Sequence, residues 1–558
     1  MPHGRWLGLA LAVALAATLT GCPSGWRLVR VEGERPTVHP DLWREIHAIA
    51  TGIQEEASQP GSACSTYGRP LVHCASGKPE LCRRTPATTT IAVPSEDRLT
   101  SLWSFVHMSD VQLKEHRVTM EGALSTAAYD GLTNGALRDP LLERHDDAVL
   151  LATVMAINAF ESTDWLSGAF GDHPPAPPRF VLHTGDAVDV GLFSELTQFL
   201  AAMNELKLPL YNALGNHDSL FFGAFPFEHM EGTNVLLPYV PIYDTDRFMR
   251  FHSPDGAAAD ISVPFLEPRT PHTPTQLGMA YAKKPKTPDE LKAFQAAKGR
   301  DGPQSNFHGF DLTCYRGLVG GTEGGGLCPE VRGYYSFDVG LPGRSGCTRK
   351  LRFVILNTSE VVPETINQGF SRLAKGNIQP EQLRWLSHEL TRGDEGGAEV
   401  YSLVVGHHQL SGFLHDDQED RLRTILMTSP RVLAYLSGHT HQDASTAHRR
   451  LDGSTLWELT AGSTLVFPQL SRLIELLEGP DDRLWLRVAT FRQQLSDHVD
   501  DLPVDSRCAQ LARRAKLGRD GARRDNDQDR EDEAVAIERA NGIFPVWQQE
   551  PKTCPTNP

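Results

Sequence analysis

Short apolar runs alternate with stretches of helical period through the middle of the chain. Ser104-Phe105-Val106-His107-Met108 reads as a buried strand that ends at Ser109-Asp110. Val149, Leu150, Val154 and Ile157 recur at helical spacing within 146–160, which predicts a helix. Arg179 to His183 predicts a second strand ending at Gly185-Asp186, and 194–206 a second helix with Leu196, Phe199, Leu200 and Met203 on one face. Leu208 to Leu214 predicts a third strand, ending at Gly215-Asn216-His217-Asp218. Strands that alternate with helices in this way predict an α/β domain. Residues 219–330 break the rhythm with Pro, Gly, Phe and His and predict a long insertion over the strand ends. Regular structure resumes at Gly333 to Phe337, with a strand at Leu351 to Leu356 and a helix opened by Pro380 that carries Leu383, Leu386 and Leu390 on one side. Two further strands, Tyr401 to Val405 and Val432 to Leu436, end at Gly406-His407-His408 and Gly438-His439-Thr440-His441. Leu484, Leu486 and Val488 alternate with charged residues and predict a half-exposed late strand. From Asp501 the chain is heavily charged, and 513–533 predicts either a solvated helix or a disordered tail.

The termini divide the chain further. His3 and Arg5 precede an apolar run from Leu7 to Leu19, followed by Leu19-Thr20-Gly21-Cys22. This is the layout of a secretory signal, and its last four residues resemble a bacterial lipobox. The resemblance implies cleavage before Cys22 and a lipid anchor on its thiol, hence an exported lipoprotein at the periplasmic or cell surface. The organisation expected is therefore residues 1–22 as signal peptide with lipobox and 23–98 as tether and Cys-containing segment. Residues 99–500 are expected to form the main α/β domain, interrupted by 219–330, and 501–558 the charged tail. Eight cysteines remain beyond Cys22, an even number that favours disulfides in an exported chain and leaves 105 connectivities open. The 558 residues are 40% apolar and 22% charged, ordinary globular composition, with a formal net charge of -16. That balance argues against nucleic acid as the main partner, although a small phosphorylated substrate remains compatible with it.

Five short motifs each follow directly on a predicted strand: Asp110-Val111-Gln112, Gly185-Asp186, Gly215-Asn216-His217-Asp218, Gly406-His407-His408 and Gly438-His439-Thr440-His441. Ligands gather at the carboxyl ends of strands in open α/β sheets, so motifs this far apart can meet at one site. Carboxylates, a carboxamide and imidazoles without a thiolate suit a pair of Mn, Fe, Zn or Co ions. One carboxylate can bridge two such ions about 3.5–4 Å apart.

In this set the chain resembles the calcineurin-like metallophosphoesterase superfamily, over about Leu102 to Phe491. The resemblance implies a four-layer α/β/β/α sandwich of two mixed sheets, and hydrolysis of a phosphomonoester or phosphodiester by metal-bound hydroxide. It implies that Asp110, Asp186 and His441 hold one divalent or trivalent ion, with Gln112 in the place of the usual His. Asp186, Asn216, His407 and His439 would hold the other, with Asp186 bridging. His217 would act as acid or phosphate donor at the leaving group, and Asp218 would orient or charge His217. Gln112 departs from the pattern and is a weaker ligand than imidazole; His107 and His116 are its neighbours in sequence. Either His407 or His408 could be the ligand of the fourth motif, and the spacing to Gln409, where the family usually has Pro, points to His407. Ser463 and Arg472 either line the site or pack within a strand. Asp189 reads as a helix N-cap. Phe221, Phe222, Phe225 and Phe227 either line a substrate pocket or form the insertion's own small core. A different class of reading, a non-catalytic surface protein that keeps a metal for stability, draws support from Gln112 alone.

Overall fold

The computed structural model describes residues 27–32, 40–59, 61–73, 93–113, 146–171, 173–188, 199, 202–203, 205–218, 247–252, 258–261, 304–306, 334–344, 347–359, 374–393, 397–480, 482–522 and 535–547. The signal and lipobox at 1–22, His116, Asp189 and the four phenylalanines of 221–227 lie outside them. Among the described residues no helix is long and apolar enough to cross a membrane.

In chain order the elements are β1 (Arg27–Glu32), α1 (Pro40–Ala57), α2 (Ala63–Tyr67), β2 (Pro70–Val72) and β3 (Thr100–Met108). Then come α3 (Asp146–Asn158), α4 (Thr163–Phe170), β4 (Val181–His183), β5 (Leu210–Asn212), β6 (Arg247–His252), β7 (Ala258–Ile261) and β8 (Gln304–Asn306). They continue with β9 (Tyr335–Arg344), β10 (Cys347–Ile355), α5 (Pro380–Thr391), β11 (Glu399–Val405), α6 (Asp416–Thr428) and β12 (Val432–Ser437). The last are β13 (Ala444–Arg449), β14 (Thr455–Thr460), β15 (Ser471–Glu478), β16 (Leu484–Gln493), α7 (Arg507–Ala522) and β17 (Gly542–Trp547).

Two mixed sheets dominate. One runs β17-β16-β15-β3-β4-β5 with β2 on β16, and the other β13-β14-β12-β11-β10-β9-β8. Their strand alternation sends one set of side chains into a shared core and the other towards helices. Phe353 and Ile355 of β10, Leu403 and Val405 of β11, and Leu436 of β12 face Trp103, Phe105 and Phe180 of the opposite sheet. Rings lock this interior together, with Tyr211 stacked on Phe337 at 4.0 Å and Phe105 edge-on to Phe353 at 5.3 Å. On their outer faces Val354, Val404 and Tyr435 pack under α5 and α6, while Val106, Met108 and Val181 pack with α3 and α7. The order of layers is helix, sheet, sheet, helix, the four-layer sandwich expected from the sequence. The strands β1, β6 and β7 form a separate antiparallel sheet.

Two expectations need correction. The strand β16 is buried along nearly its whole length, where alternation with charge had predicted half exposure. Its Arg487 is sealed in by a cross-strand partner, with Nε 2.6 Å from Glu475 Oε2, so the polar face is covered instead of wet. Among the described residues of the charged C-terminal segment, 501–522 and 535–547, the chain is packed instead of free. Cys508, Ala509, Leu511, Ala512 and Ala515 of α7 are buried against α3, and β17 pairs with β16. This is why α3 is buried on almost every side. The segment 23–98 also contributes to the core, through Ala50, Ile53 and Cys64.

A disulfide joins Cys64 to Cys508 across 444 residues of sequence. It ties α2 to α7 and so fastens both ends of the chain to the same layer. Cross-links of this kind stabilise by about 2–4 kcal/mol. A Cys64→Ala, Cys508→Ala double variant should therefore unfold at lower temperature than the wild type by calorimetry, both without reductant. A variant that unfolds at the wild-type temperature would show that the bridge contributes nothing.

Candidate metal centre

The five motifs meet at the carboxyl ends of β3, β4, β5, β11 and β12. The parallel pairing of β3 with β4 and β4 with β5 brings Asp110, Asp186 and the 215–218 turn side by side. The parallel pairing of β11 with β12 does the same for His407 and the His439–His441 loop. Ring or carboxylate atoms of Asp110, Asp186 and His407 lie within 4.8 Å of one another, and so do those of His407, His408 and His439.

The local backbone is unusual. Asp110, Gln112, Asp186, His439 and His441 all have φ between 45° and 72°, the left-handed region that side chains with Cβ rarely adopt. Five site residues among the seven described non-glycine residues with positive φ mark a loop set held in place by its surroundings. Two glycines permit the close approach. A Cβ on Gly215 would fall on the Asp186 carboxylate, and one on Gly438 would strike the Ser109 hydroxyl.

Asp186 is the hub. Its Oδ1 accepts from the His217 amide at 2.8 Å. Its Oδ2 accepts from Gln112 Nε2 at 3.1 Å and lies 3.2 Å from His407 Nε2. His407 Nε2 is also 3.1 Å from Asn216 Oδ1. The other nitrogen, Nδ1, donates to the Thr184 carbonyl at 2.9 Å, which turns Nε2 towards Asp186 and Asn216. A carboxylate oxygen, a carboxamide oxygen and an imidazole lone pair thus converge on one buried point, and only positive charge between them resolves the repulsion. Without a metal, a proton takes that place. Burial opposes protonation of His407, yet Asp186 and Asp110 carry its pKa up to about 9. Burial likewise pushes the Asp186 and Asp110 carboxyls up, but the surrounding imidazoles hold both below the ordinary value, His407 and His217 for Asp186, and His441 and His407 for Asp110. Burial and the neighbouring His407 lower His439 to about 4, so its ring stays neutral and able to ligate.

The second cluster is built around Asp110. Its Oδ2 accepts from the His439 amide at 2.9 Å, and its Oδ1 lies 3.3 Å from His441 Nε2 without a well-formed hydrogen bond. Buried and incompletely satisfied, this oxygen has the environment of a cation ligand. The donor set, oxygen and imidazole without thiolate, fits a pair of divalent ions. The sequence-derived ligands Asp110, Gln112, Asp186, Asn216, His407, His439 and His441 are all brought to this one place.

The adjacent histidines differ in their hydrogen-bond partners. Thr358 Oγ1 accepts both the His407 and the His408 amides at 3.1 Å and lies 2.9 Å from His408 Nδ1, and the His408 ring also hydrogen-bonds the Ala374 backbone. His107 is buried in β3 with Nε2 3.1 Å from Thr184 Oγ1, a structural position.

Asp218 has a different role from the one its place in the motif suggested. Its carboxylate does not spend its oxygens on the His217 ring. Oδ1 accepts from the Ala187 and Val188 amides at 2.7 and 3.2 Å, and Oδ2 from the Asp186 and Gly215 amides at 3.0 and 2.9 Å. It is a positioning residue that fixes the Asp186 loop against the 215–218 turn. Ser463 and Arg472 are buried and bonded to the residues around the site. Ser463 Oγ donates to the Asp110 carbonyl at 2.6 Å, and the buried Arg472 pairs with Asp443 at 2.9 Å.

Residues beyond the motifs, which sequence reasoning missed, hold the histidine loops. Glu458 Oε1 accepts from the Leu410 amide at 2.8 Å, and the Tyr435 hydroxyl donates to the His408 carbonyl at 2.7 Å. Gln409 Nε2 donates to Thr440 Oγ1 at 3.0 Å and so links the two histidine loops directly.

Replacement of Asp218 by Asn would set an NH2 group against amide donors. Loss of those acceptor contacts should cost about 1–3 kcal/mol in urea unfolding and weaken metal uptake with it. An Asp218→Asn chain that unfolds and takes up metal as the wild type does would contradict the positioning role.

Comparison with known proteins places this geometry in a wider group. Residues 104–277 match the family model described as calcineurin-like phosphoesterase, a stretch that includes Asp110, Asp186 and the 215–218 turn and ends before His407. No curated protein sequence matches the chain. Among solved structures, a dimetal phosphatase from Danio rerio aligns at 13% identity and a TM-score of 0.36, over 71% of this chain and 100% of the other, a likeness too slight to argue from. Over residues 104–277, less than a third of the chain, the sequence is thus similar to the calcineurin-like phosphoesterases.

Proposed function

We propose that the chain hydrolyses a phosphomonoester or phosphodiester at a dinuclear metal centre. The observation that carries this reading is the convergence of Asp186 Oδ2, Asn216 Oδ1 and His407 Nε2 on one buried point. One ion would be held by Asp110, Gln112, Asp186 and His441, the other by Asp186, Asn216, His407 and His439, with Asp186 shared. When bound, such ions supply Lewis acidity at the phosphoryl oxygens and lower the pKa of water to near neutrality. Mn, Fe, Zn and Co all suit the donor set.

The chain's own residues do the rest. Asp186 has one oxygen fixed by the His217 amide, so its other oxygen keeps a single direction. His217 follows directly on Asn216 in the same turn and is only half-buried, which suits a donor to the phosphoryl or leaving-group oxygen. Gln112 offers a neutral oxygen where imidazole is usual, and its amide can turn between donating to Asp186 and ligating. Under the same proposal the chain is exported and anchored to a membrane through lipidated Cys22, and its substrate is a phosphorylated molecule other than nucleic acid.

Turnover tests this. The chain lacking residues 1–22 is stripped of metal and assayed on p-nitrophenyl phosphate and bis(p-nitrophenyl) phosphate, with Mn, Fe, Zn or Co restored. Metal-dependent hydrolysis is expected, with Asp186→Ala and His439→Ala about 100-fold or more slower while still folded. No turnover with any metal, or Asp186→Ala as fast as wild type, would sink the proposal and favour a non-catalytic binding protein.

A further inference from the structure

We propose that His448 is a positioning residue for the centre. From the edge strand β13 it closes a ring of hydrogen bonds that fixes the loop behind His407, and so sets how tightly one of the two cations is held. The proposal rests on the dinuclear reading above and deepens it with a residue that lies outside all five motifs.

Pairing at the sheet edge brings the ring together. In the antiparallel register of β13 and β14, Thr446 stands opposite Glu458 and His448 opposite Leu456, so His448 and Glu458 are diagonal neighbours on one face. His448 Nε2 lies 2.9 Å from Glu458 Oε2. Its other nitrogen, Nδ1, lies 3.1 Å from Nη1 of Arg423 on α6. A guanidinium donates and has no lone pair to offer, so Nδ1 accepts, and the ring hydrogen sits on Nε2, where the Glu458 carboxylate takes it. The second carboxylate oxygen, Oε1, accepts from the Leu410 amide at 2.8 Å. Arg423 Nη2 donates to the Leu410 carbonyl at 3.4 Å and to Glu419 Oε1 at 2.9 Å. Four hydrogen bonds thus close a circuit through Leu410, Glu458, His448 and Arg423.

The circuit grips the chain close to the centre. Leu410 follows His407 by three residues and is next to Gln409, whose amide reaches Thr440 between His439 and His441. Both polar backbone groups of Leu410 are held, the N–H by a carboxylate and the C=O by a guanidinium, so the loop cannot turn about this residue without breaking the ring. Glu458 is only 4% exposed, and a carboxylate buried with a single amide for company would be strongly disfavoured. The His448 N–H supplies the second donor, and Arg423, tied to Glu419 of its own helix, keeps His448 in the form that donates. The position therefore needs one acceptor and one donor on the same side chain. A glutamine amide offers both, and a leucine offers neither.

Two measurements on the full-length chain test the proposal, each made on His448→Leu, His448→Gln and Arg423→Leu. In the metal-free protein, hydrogen exchange over residues 406–412, followed by mass spectrometry, should quicken in both leucine variants and stay at the wild-type rate in His448→Gln. Calorimetric titration with Mn should give two ions per wild-type chain. The leucine variants should hold one of them about tenfold more weakly and the other as before, and His448→Gln should recover most of the loss. Equal weakening of both ions would make the ring a general prop of the fold. Unchanged exchange or unchanged Mn affinity in the leucine variants, or a glutamine variant no better than leucine, would remove His448 from the positioning of His407. Each of these results overturns the proposal. Should His448→Leu fail to fold, Arg423→Leu, on a half-buried side chain of α6, decides by the same criteria. Wild-type protein that takes up no Mn would bring down the dinuclear reading and this proposal with it, whereas two ions in the wild type with any of the failures above would bring down this proposal alone.

Discussion

The architecture turns on one buried carboxylate. Asp186 is sealed from solvent, and the atoms facing it across the centre, Asn216 Oδ1 and His407 Nε2, are themselves acceptors. In the apolar interior of a protein such an arrangement is strongly unfavourable unless positive charge lies between the atoms. Asp186 and Asp110 raise the His407 pKa to about 9 against the effect of burial, in the same direction as that demand. A divalent cation would meet it better, since Asp186, Asn216 and His407 could all serve as its ligands.

The rest of the fold keeps those atoms from relaxing apart. Left-handed backbone at Asp110, Gln112, Asp186, His439 and His441 costs about 1–3 kcal/mol at each position, so the surroundings must over-determine the geometry. Asp218 grips four amides around the Asp186 loop. Thr358 takes both amides of the His407-His408 pair. Ser463 holds the Asp110 carbonyl, and Gln409 ties one histidine loop to the other. Beneath them the aromatic core between the sheets gives both sets of strand ends a rigid base. The covered termini matter too, because α7 and the Cys64–Cys508 bridge close the outer layer on which β3 and β4 rest.

Much of this was legible in the sequence because strand periodicity is local. Each motif follows an apolar run, and the runs at β3, β4, β5, β11 and β12 lie where the spacing predicted them. The ligand candidates needed only their position at strand ends to be grouped. What sequence could not supply was the direction of each polar side chain. Asp218 sits one residue after His217 and looks like its partner, but its acceptors are needed by amides some thirty residues earlier, at Asp186 to Val188. Arg472 and Arg487 look solvated by type, yet carboxylates on neighbouring segments bury them. The charged C-terminal helix hid its inner face because alanines supply much of it, and Ala509, Ala512 and Ala515 carry a weak hydrophobic signal. A disulfide across 444 residues has no local signature at all.

The measurement that bears most directly on this account is a crystal structure of the Mn-soaked chain with anomalous data. Two anomalous peaks are expected about 3.5–4 Å apart, on either side of the Asp186 carboxylate, one contacted by His407 and His439 and the other by Asp110 and His441. No peak at Asp186, or peaks only at sites away from it, would contradict the claim that this buried carboxylate exists to hold a pair of cations.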